Sequence, residues 1–306
     1  MAEQDFPKDK YELIFIEQRS RESSDQYNHS LGFKSLRETA DNYSNRMNIR
    51  VIFLNMNNNS PYHVGVCNNR GILEARGKYV SVMDGDLLVK PDFLSTLEEA
   101  HRDIGTIINL DRRYAIKPVD VDFDNWTKGT IDFEECLKVC RNYDQPIRKT
   151  VENKGPLISA PKQWWEAIGG YDEHRIWSTG VTRLGLDVTV RMEIYANCQS
   201  LALPGQLCVH PYHPAGFDRS DKIESIVLSA QKQLIDFATS NGEPLYTKRK
   251  KIADKLYRKY KWAFNANITG ELGLIGRIKL YHARLNFRKG LKRIYLRVLR
   301  QLSIQS

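Results

Sequence analysis

The sequence predicts an α/β fold, with a mostly parallel sheet flanked by helices and a basic helical C-terminal tail. Three observations carry that expectation. Apolar runs of strand length alternate with segments of helical spacing through residues 11–110, the pattern of strands joined by crossover helices. One run, Tyr79-Val80-Ser81-Val82-Met83, stops on Asp84-Gly85-Asp86 and sets two carboxylates where the carboxyl end of a sheet strand meets a ligand crevice. The charge is also divided: residues 241–306 hold 17 Lys and Arg against 3 Asp and Glu, net +14, whereas the first 240 hold 29 against 34, net −5. A nucleic-acid-binding domain would carry its basic face on the fold itself, so no nucleic-acid partner is expected.

In order, Leu13–Ile16 reads as a strand ending at Glu17-Gln18-Arg19-Ser20-Arg21, and the polar stretch through Ser30 reads as loop. Leu31, Phe33, Leu36 and Ala40 recur at helical spacing. Ile49–Leu54 is a second strand that runs into the Asn-rich loop from Asn55 to Pro61. Val66, Asn69, Leu73 and Gly77 predict a helix whose small residues Gly71, Ala75 and Gly77 allow close approach, and it feeds the Tyr79–Met83 strand. Helix Asp92–Ala100 and strand Thr106–Leu110 follow, then a polar insertion over 114–153 with one helix near Phe133–Val139. Leu157–Ala160 is a strand, Pro161 opens a helix over Lys162–Ile168, and Gly169-Gly170 end it. A helix from Val188 to about Ala196 and strand pieces Leu201–Leu203 and Gln206–Val209 lead to His210. In the tail, Ile278, Tyr281 and Leu285, then Leu291, Ile294, Val298 and Leu302, mark amphipathic helices with cationic polar faces.

A chain of 306 residues, 41% hydrophobic, can bury a full core. No apolar run reaches the ~18 residues needed to cross a bilayer, and the acidic start Met1–Asp5 is unlike a secretory signal, so a cytoplasmic protein is expected. Five cysteines at irregular spacing argue against a disulfide framework.

Taken from the residues alone, Asp84-Gly85-Asp86 is either a turn or a pair of carboxylates converging on a hard cation, with Gly85 easing the bend. Trp177, with Trp164 and Trp165, is either a sugar-stacking surface or core.

Asn69-Arg70-Gly71, Ala75-Arg76-Gly77-Lys78-Tyr79 and Met83-Asp84-Gly85-Asp86 resemble the Asn-x-Gly, Ala-x-Gly-x-Tyr, Asp-x-Asp series of family-two glycosyltransferases. Ile168-Gly169-Gly170-Tyr171-Asp172-Glu173, Gly185-Leu186-Asp187 and Arg191 resemble the second half of the same proteins and the galactosyltransferase-type C-terminal motif. The resemblance covers about residues 11–215. It implies a nucleotide-diphospho-sugar transferase sheet of the glycosyltransferase A fold, with a nucleotide-binding half over 11–105, an acceptor half over 106–215 and a helical basic extension over 216–306.

The same resemblance implies roles. Asp86 would ligate Mn²⁺ or Mg²⁺ with His210 as a further ligand, and Asp84 would reach the ribose or a metal-bound water. Asp187 would be the catalytic base, with Asp172 and Glu173 on the acceptor side beside Trp177. Glu17, Arg19 and Asn55 would lie near the nucleotide base if Leu13–Ile16 is the first strand, and Asn69 and Arg70 would complete the donor side. Leu186 stands where the family has an acidic residue, and the first strand lacks the family's usual turn. The expected activity is metal-dependent, inverting hexosyl or N-acetylhexosaminyl transfer from a UDP-sugar to a glycan or lipid-linked acceptor in polysaccharide biosynthesis. The tail, residues 248–306, would hold the protein at the anionic inner face of the membrane as a peripheral protein, and a homo-oligomer is compatible with it. The competing reading is a catalytically degenerate sugar-nucleotide-binding or scaffold protein at the membrane surface.

Overall fold

The first apolar run forms β1 (Leu13–Glu17) and the second forms β2 (Ile49–Phe53), paired in parallel from Leu13↔Ile49 to Glu17↔Phe53. The computed structural model describes residues 1–2, 4–57, 62–116, 133–134, 136, 157–178, 183–211, 221–241, 246–269 and 272–282. The crossover between β1 and β2 holds two helices, not one. The polar stretch expected as loop is α1 (Arg21–Ser30), because the Ser20 hydroxyl accepts the Ser23 N–H and caps it, with Glu22 in the first turn. Gly32, at φ +79°, interrupts the expected helix from Leu31. The chain restarts as α2 (Leu36–Tyr43) at a capping box in which Ser35 and Glu38 bond each other's backbone N–H.

Helix α3 (Val64–Glu74) leads into β3 (Tyr79–Met83). Gly71 faces Ile16 of β1, close enough that a Cβ there would sit 3.4 Å from its side chain. After the acidic turn come β4 (Leu88–Val89), α4 (Phe93–Asp103) and β5 (Ile108–Ile116). Then follow β6 (Leu157–Pro161), α5 (Lys162–Ala167), a 3₁₀ turn at Arg175–Trp177, α6 (Leu184–Ala196) and β7 (Leu201–Pro211). Helices α7 (Asp221–Ser240) and α8 (Tyr246–Thr269) follow, and a short helix, α9, spans 274–282. Of the helix expected near Phe133–Val139, Phe133, Glu134 and Cys136 are described and helical.

Five strands form one sheet in the order β3-β6-β5-β7-β4. Parallel pairing holds for β1–β2 and β5–β7, while β3–β6, β5–β6 and β4–β7 are antiparallel, so the sheet system is mixed where a mostly parallel one was expected. The reason is β6, which returns from beyond residue 116 and inserts between β3 and β5. The two strand pieces around Pro204 are one strand, β7, with a register shift opposite Leu110/Arg112.

Alternation along β6 separates two cores. Leu157 packs with Phe93, Leu97, Ile108 and Leu203, and Ile158 and Ala160 pack with Trp165, Ile176, Trp177, Val188 and Met192. The second core continues into Val227, Ala230 and Leu234 of α7 and Ala253, Ala263 and Phe264 of α8. Each large apolar side chain fully buried there contributes about 1.5–3 kcal/mol. The boundary expected at residue 215 is therefore no break in packing, because α7 and α8 share one core with β6, α5 and α6.

Candidate active site

Two strand ends carry the candidate donor-side residues. At the end of β1, Glu17 accepts the Arg19 N–H (2.9 Å) and the Ser24 hydroxyl (3.3 Å). At the end of β3, the chain turns through Asp84, Gly85 and Asp86; Asp84 is exposed and Asp86 half-buried. A Cβ at Gly85 would meet nothing within 4 Å, and its φ is not left-handed. The bend does not require glycine; what the residue leaves is open space before the turn, room for a ligand to approach the backbone.

Both ends act on one phenol, that of Tyr62. Crowding around the Tyr62 hydroxyl pushes its pKa up, and Cys67, Glu17 and Asp84 add to the shift. Burial raises the Tyr171 phenol, and Asp84 raises it further. Cys67, beneath them, is pushed up to about 11 by burial first and by Glu17 second, so it stays a thiol. Glu17 and Asp84 thus both stand near Tyr62, and Asp84 also near the buried Tyr171.

The strand register bears on the expected metal ligands. Leu88 pairs with Val209 and Val89 with Cys208. Continued by one residue, that antiparallel register sets Leu87 against His210, one step along the chain from Asp86. Oxygen donors from a turn beside an imidazole-bearing strand suit Mn²⁺, and Mg²⁺ less well. The His210 side chain lies outside the described residues, and no group of three metal-ligating side chains occurs among those described.

The acceptor-side motif is held from two directions. Asn69 on α3 accepts the Tyr171 N–H (2.7 Å) and donates to the Tyr171 carbonyl (2.9 Å) and to Glu173 Oε1 (2.8 Å). Gly170, at φ +66°, lies so close that a Cβ would collide with Asn69 Oδ1, and a Cβ at Gly65 would sit 2.7 Å from the Asp172 carbonyl. From the other direction, Arg191 donates to the carbonyls of Ile168 (2.8 Å) and Gly170 (2.7 Å). Asn69, expected on the donor side, is therefore committed to the turn.

Behind that turn runs a chain of charges: Asp172, Arg249, Asp187, Arg191. Arg249 of α8 donates to Asp172 Oδ2 (3.1 Å) and to Asp187 Oδ1, and Arg191 donates to Asp187 Oδ2 (3.1 Å). Burial works against the charge on Asp172, but Arg249 and the His174 N–H hold its carboxyl below the usual range. Burial likewise opposes the Arg249 charge, and Asp187 and Asp172 outweigh it. Asp187 is 1% exposed. It is not an open base in this arrangement, because both oxygens are taken by guanidinium groups. A second tie joins His174 to Asp254 of α8 at 2.9 Å.

Two other expected residues, Trp177 and Arg70, are placed elsewhere. Trp177 is 0% exposed, with the Arg249 guanidinium 5.6 Å from its ring centroid, so it is core and presents no face to a sugar. Arg70 pairs with Glu74 (2.6 Å), which Arg50 joins to Glu12 at the amino ends of β1 and β2, away from the donor-side residues. Arg19 stays at the β1 end, its guanidinium 3.7 Å from Glu17 and 4.2 Å from the Tyr27 ring centroid. Asn55, exposed and left-handed at φ 52°, does stand at the carboxyl end of β2, and Glu173 is exposed beside Asn69. Sequence reasoning missed Tyr62 and Arg249. No spacing signal marks either one, since Tyr62 follows an Asn-rich loop and Arg249 sits in a run of four cations.

Residues 1–148 match the model for glycosyl transferase family 2. Among solved structures, S. aureus TarS 1-349 in complex with UDP-GlcNAc aligns at TM-score 0.52 and 14% identity over 92% of this chain and 73% of that one. TarS 1-349 in complex with UDP aligns at TM-score 0.50 and 14% identity, over 90% and 70%. At that identity the likeness speaks for the fold alone. A search of curated proteins finds no match.

Proposed function

We propose that the chain, whose residues 1–148 match the glycosyl transferase family 2 model, is a glycosyltransferase that moves a hexosyl or N-acetylhexosaminyl group from a UDP-sugar to a glycan or lipid-linked acceptor. The observation that carries the reading is the approach of Glu17 and Asp84 to Tyr62 where β1 and β3 end, with open space before Gly85. TarS binds UDP and UDP-GlcNAc, which supports the choice of donor.

The nucleotide base lies between Glu17 and Asn55, and Asp84 reaches the ribose. Asp86 and His210 would hold Mn²⁺ or Mg²⁺, which when bound neutralises the departing diphosphate. On the acceptor side, Glu173 is the exposed carboxylate, so it takes the proton from the attacking hydroxyl and leaves one inverting displacement at the sugar. Asp172 and Asp187 act through Arg249 and Arg191 to fix the turn that carries Glu173. The competing reading, donor binding without turnover, draws on the closed state of Asp187.

Isothermal titration of UDP with and without Mn²⁺, together with UDP release from UDP-GlcNAc and UDP-glucose, tests the proposal. The expected result is Mn²⁺-dependent UDP binding and slow donor hydrolysis, both lost in Asp86→Ala. Absence of Mn²⁺-dependent UDP binding would overturn the proposal, and binding with no turnover on any acceptor would leave the binding-only reading standing.

A further inference from the structure

Helix α9 rests on the body by one face. Leu280 is buried and Leu272, just before the helix, packs against the main core. Leu274, Ile275, Ile278 and Tyr281 are 76%, 69%, 49% and 60% exposed. At about 100° per residue, Leu274, Ile278 and Tyr281 share one narrow stripe well away from Leu280, and Ile275 lies at its edge. Arg277, whose Nε also donates to the Leu272 carbonyl (3.0 Å), flanks the stripe on one side and Lys279 on the other. Single exposed apolar residues need no explanation, but four neighbours on one helix face do.

Charge decides what covers the stripe. From Leu272 to Ser306 the sequence has nine Lys and Arg and no Asp or Glu. A second copy of the chain would bring that charge against itself, and a polyanion without an apolar phase would leave the stripe in water. An anionic bilayer surface satisfies both features, with phosphates for the cations and acyl chains for the apolar side chains. Helix α8 offers no such face, because Ala253, Leu256, Ala263 and Phe264 are buried in the core.

We propose that helix 274–282 is a membrane-docking element that lies in the headgroup layer of an anionic phospholipid bilayer, inserting Leu274, Ile275, Ile278 and Tyr281 and setting Arg277 and Lys279 against phosphates. This narrows the tail's role from the whole of 248–306 to the segment beyond α8, and it is independent of the transfer chemistry. No helix among the described residues is long and apolar enough to cross a membrane, so the contact is with one surface.

Flotation of the full chain with vesicles of phosphatidylcholine alone and of phosphatidylcholine mixed with phosphatidylglycerol tests it. The protein should float with the mixed vesicles only, and added salt should weaken the association. The double substitution Leu274→Glu, Ile278→Glu changes only exposed positions, so it should keep the wild-type thermal midpoint and UDP affinity while losing at least about tenfold in vesicle partitioning. Equal partitioning of the variant would overturn the proposal, as would no partitioning of the wild type. So would a self-associated species in sedimentation velocity that the double substitution dissolves, because the stripe would then belong to a second copy.

Discussion

The two sides of the proposed site are built from the same kinds of residue and treat them in opposite ways. On the donor side, carboxylates at strand ends are left accessible: Asp84 is exposed, Asp86 half-buried, and the space before Gly85 is open. On the proposed acceptor side, the buried Asp187 is paired with Arg249 and Arg191 and the partly buried Asp172 with Arg249, while Glu173 is exposed. A motif residue that is buried and doubly paired holds shape, and one at the surface is within reach of a ligand. Burying a charge is tolerable only when it is paired, so the two treatments should respond differently to mutation.

The sharpest break is Arg249→Ala. It leaves the buried Asp187 with Arg191 alone and Asp172 with the His174 N–H, and should cost about 3–5 kcal/mol in urea unfolding; a loss below about 1 kcal/mol would mean that α8 does not hold the turn. On the donor side the response should be chemical: Asp86→Ala should lower Mn²⁺-dependent turnover about a hundredfold or more while leaving the unfolding midpoint unchanged. Asn69→Ala lies between the two, because it removes three hydrogen bonds from the Tyr171–Glu173 turn; about 1–3 kcal/mol of stability should go with it, read by the same denaturation.

A smaller effect concerns His101, which lies 3% exposed beneath the sheet, stacked on Tyr79 at 4.3 Å and bonded to the Ser159 hydroxyl at 2.8 Å. Burial pushes its pKa down to about 4. Between that value and the ordinary value near 6.5, the unfolded chain binds the extra proton and the folded one does not. Stability is therefore intact above about pH 6.5 and falls by about 1 kcal/mol per pH unit toward pH 4. In His101→Phe that part of the slope should vanish, as denaturation at successive pH values would show. Smallest of all, Arg70→Ala removes an exposed i,i+4 pair far from the donor-side residues; it should cost no more than about 0.5 kcal/mol and leave UDP affinity unchanged by titration.

What could be read in the sequence follows the same division. The β1-α-β2-α-β3 order and the strand ending at Asp84-Gly85-Asp86 were legible because periodicity and a stop on carboxylates are local signals. Helix α1 was not, since its composition is polar throughout and its start depends on one Ser20 cap. The insertion of β6 between β3 and β5 was not, because antiparallel return is a long-range choice that no local pattern encodes. Asp187 was found as a motif residue, yet its environment is supplied by Arg249, 62 residues later in a run that reads as solvated charge. Trp177 illustrates the same limit: its type admitted both a sugar platform and a core residue, and burial under Arg249 decided between them.

The central claim is that the donor lies where β1 and β3 end, with the metal at Asp86. A crystal structure of the protein with UDP and Mn²⁺ tests it most directly. The account predicts uracil beside Glu17 and Asn55, the ribose at Asp84, and the metal bonded to Asp86 and His210. Nucleotide density at the Arg70–Glu74 end of the sheet, or a metal bound without Asp86, would contradict it.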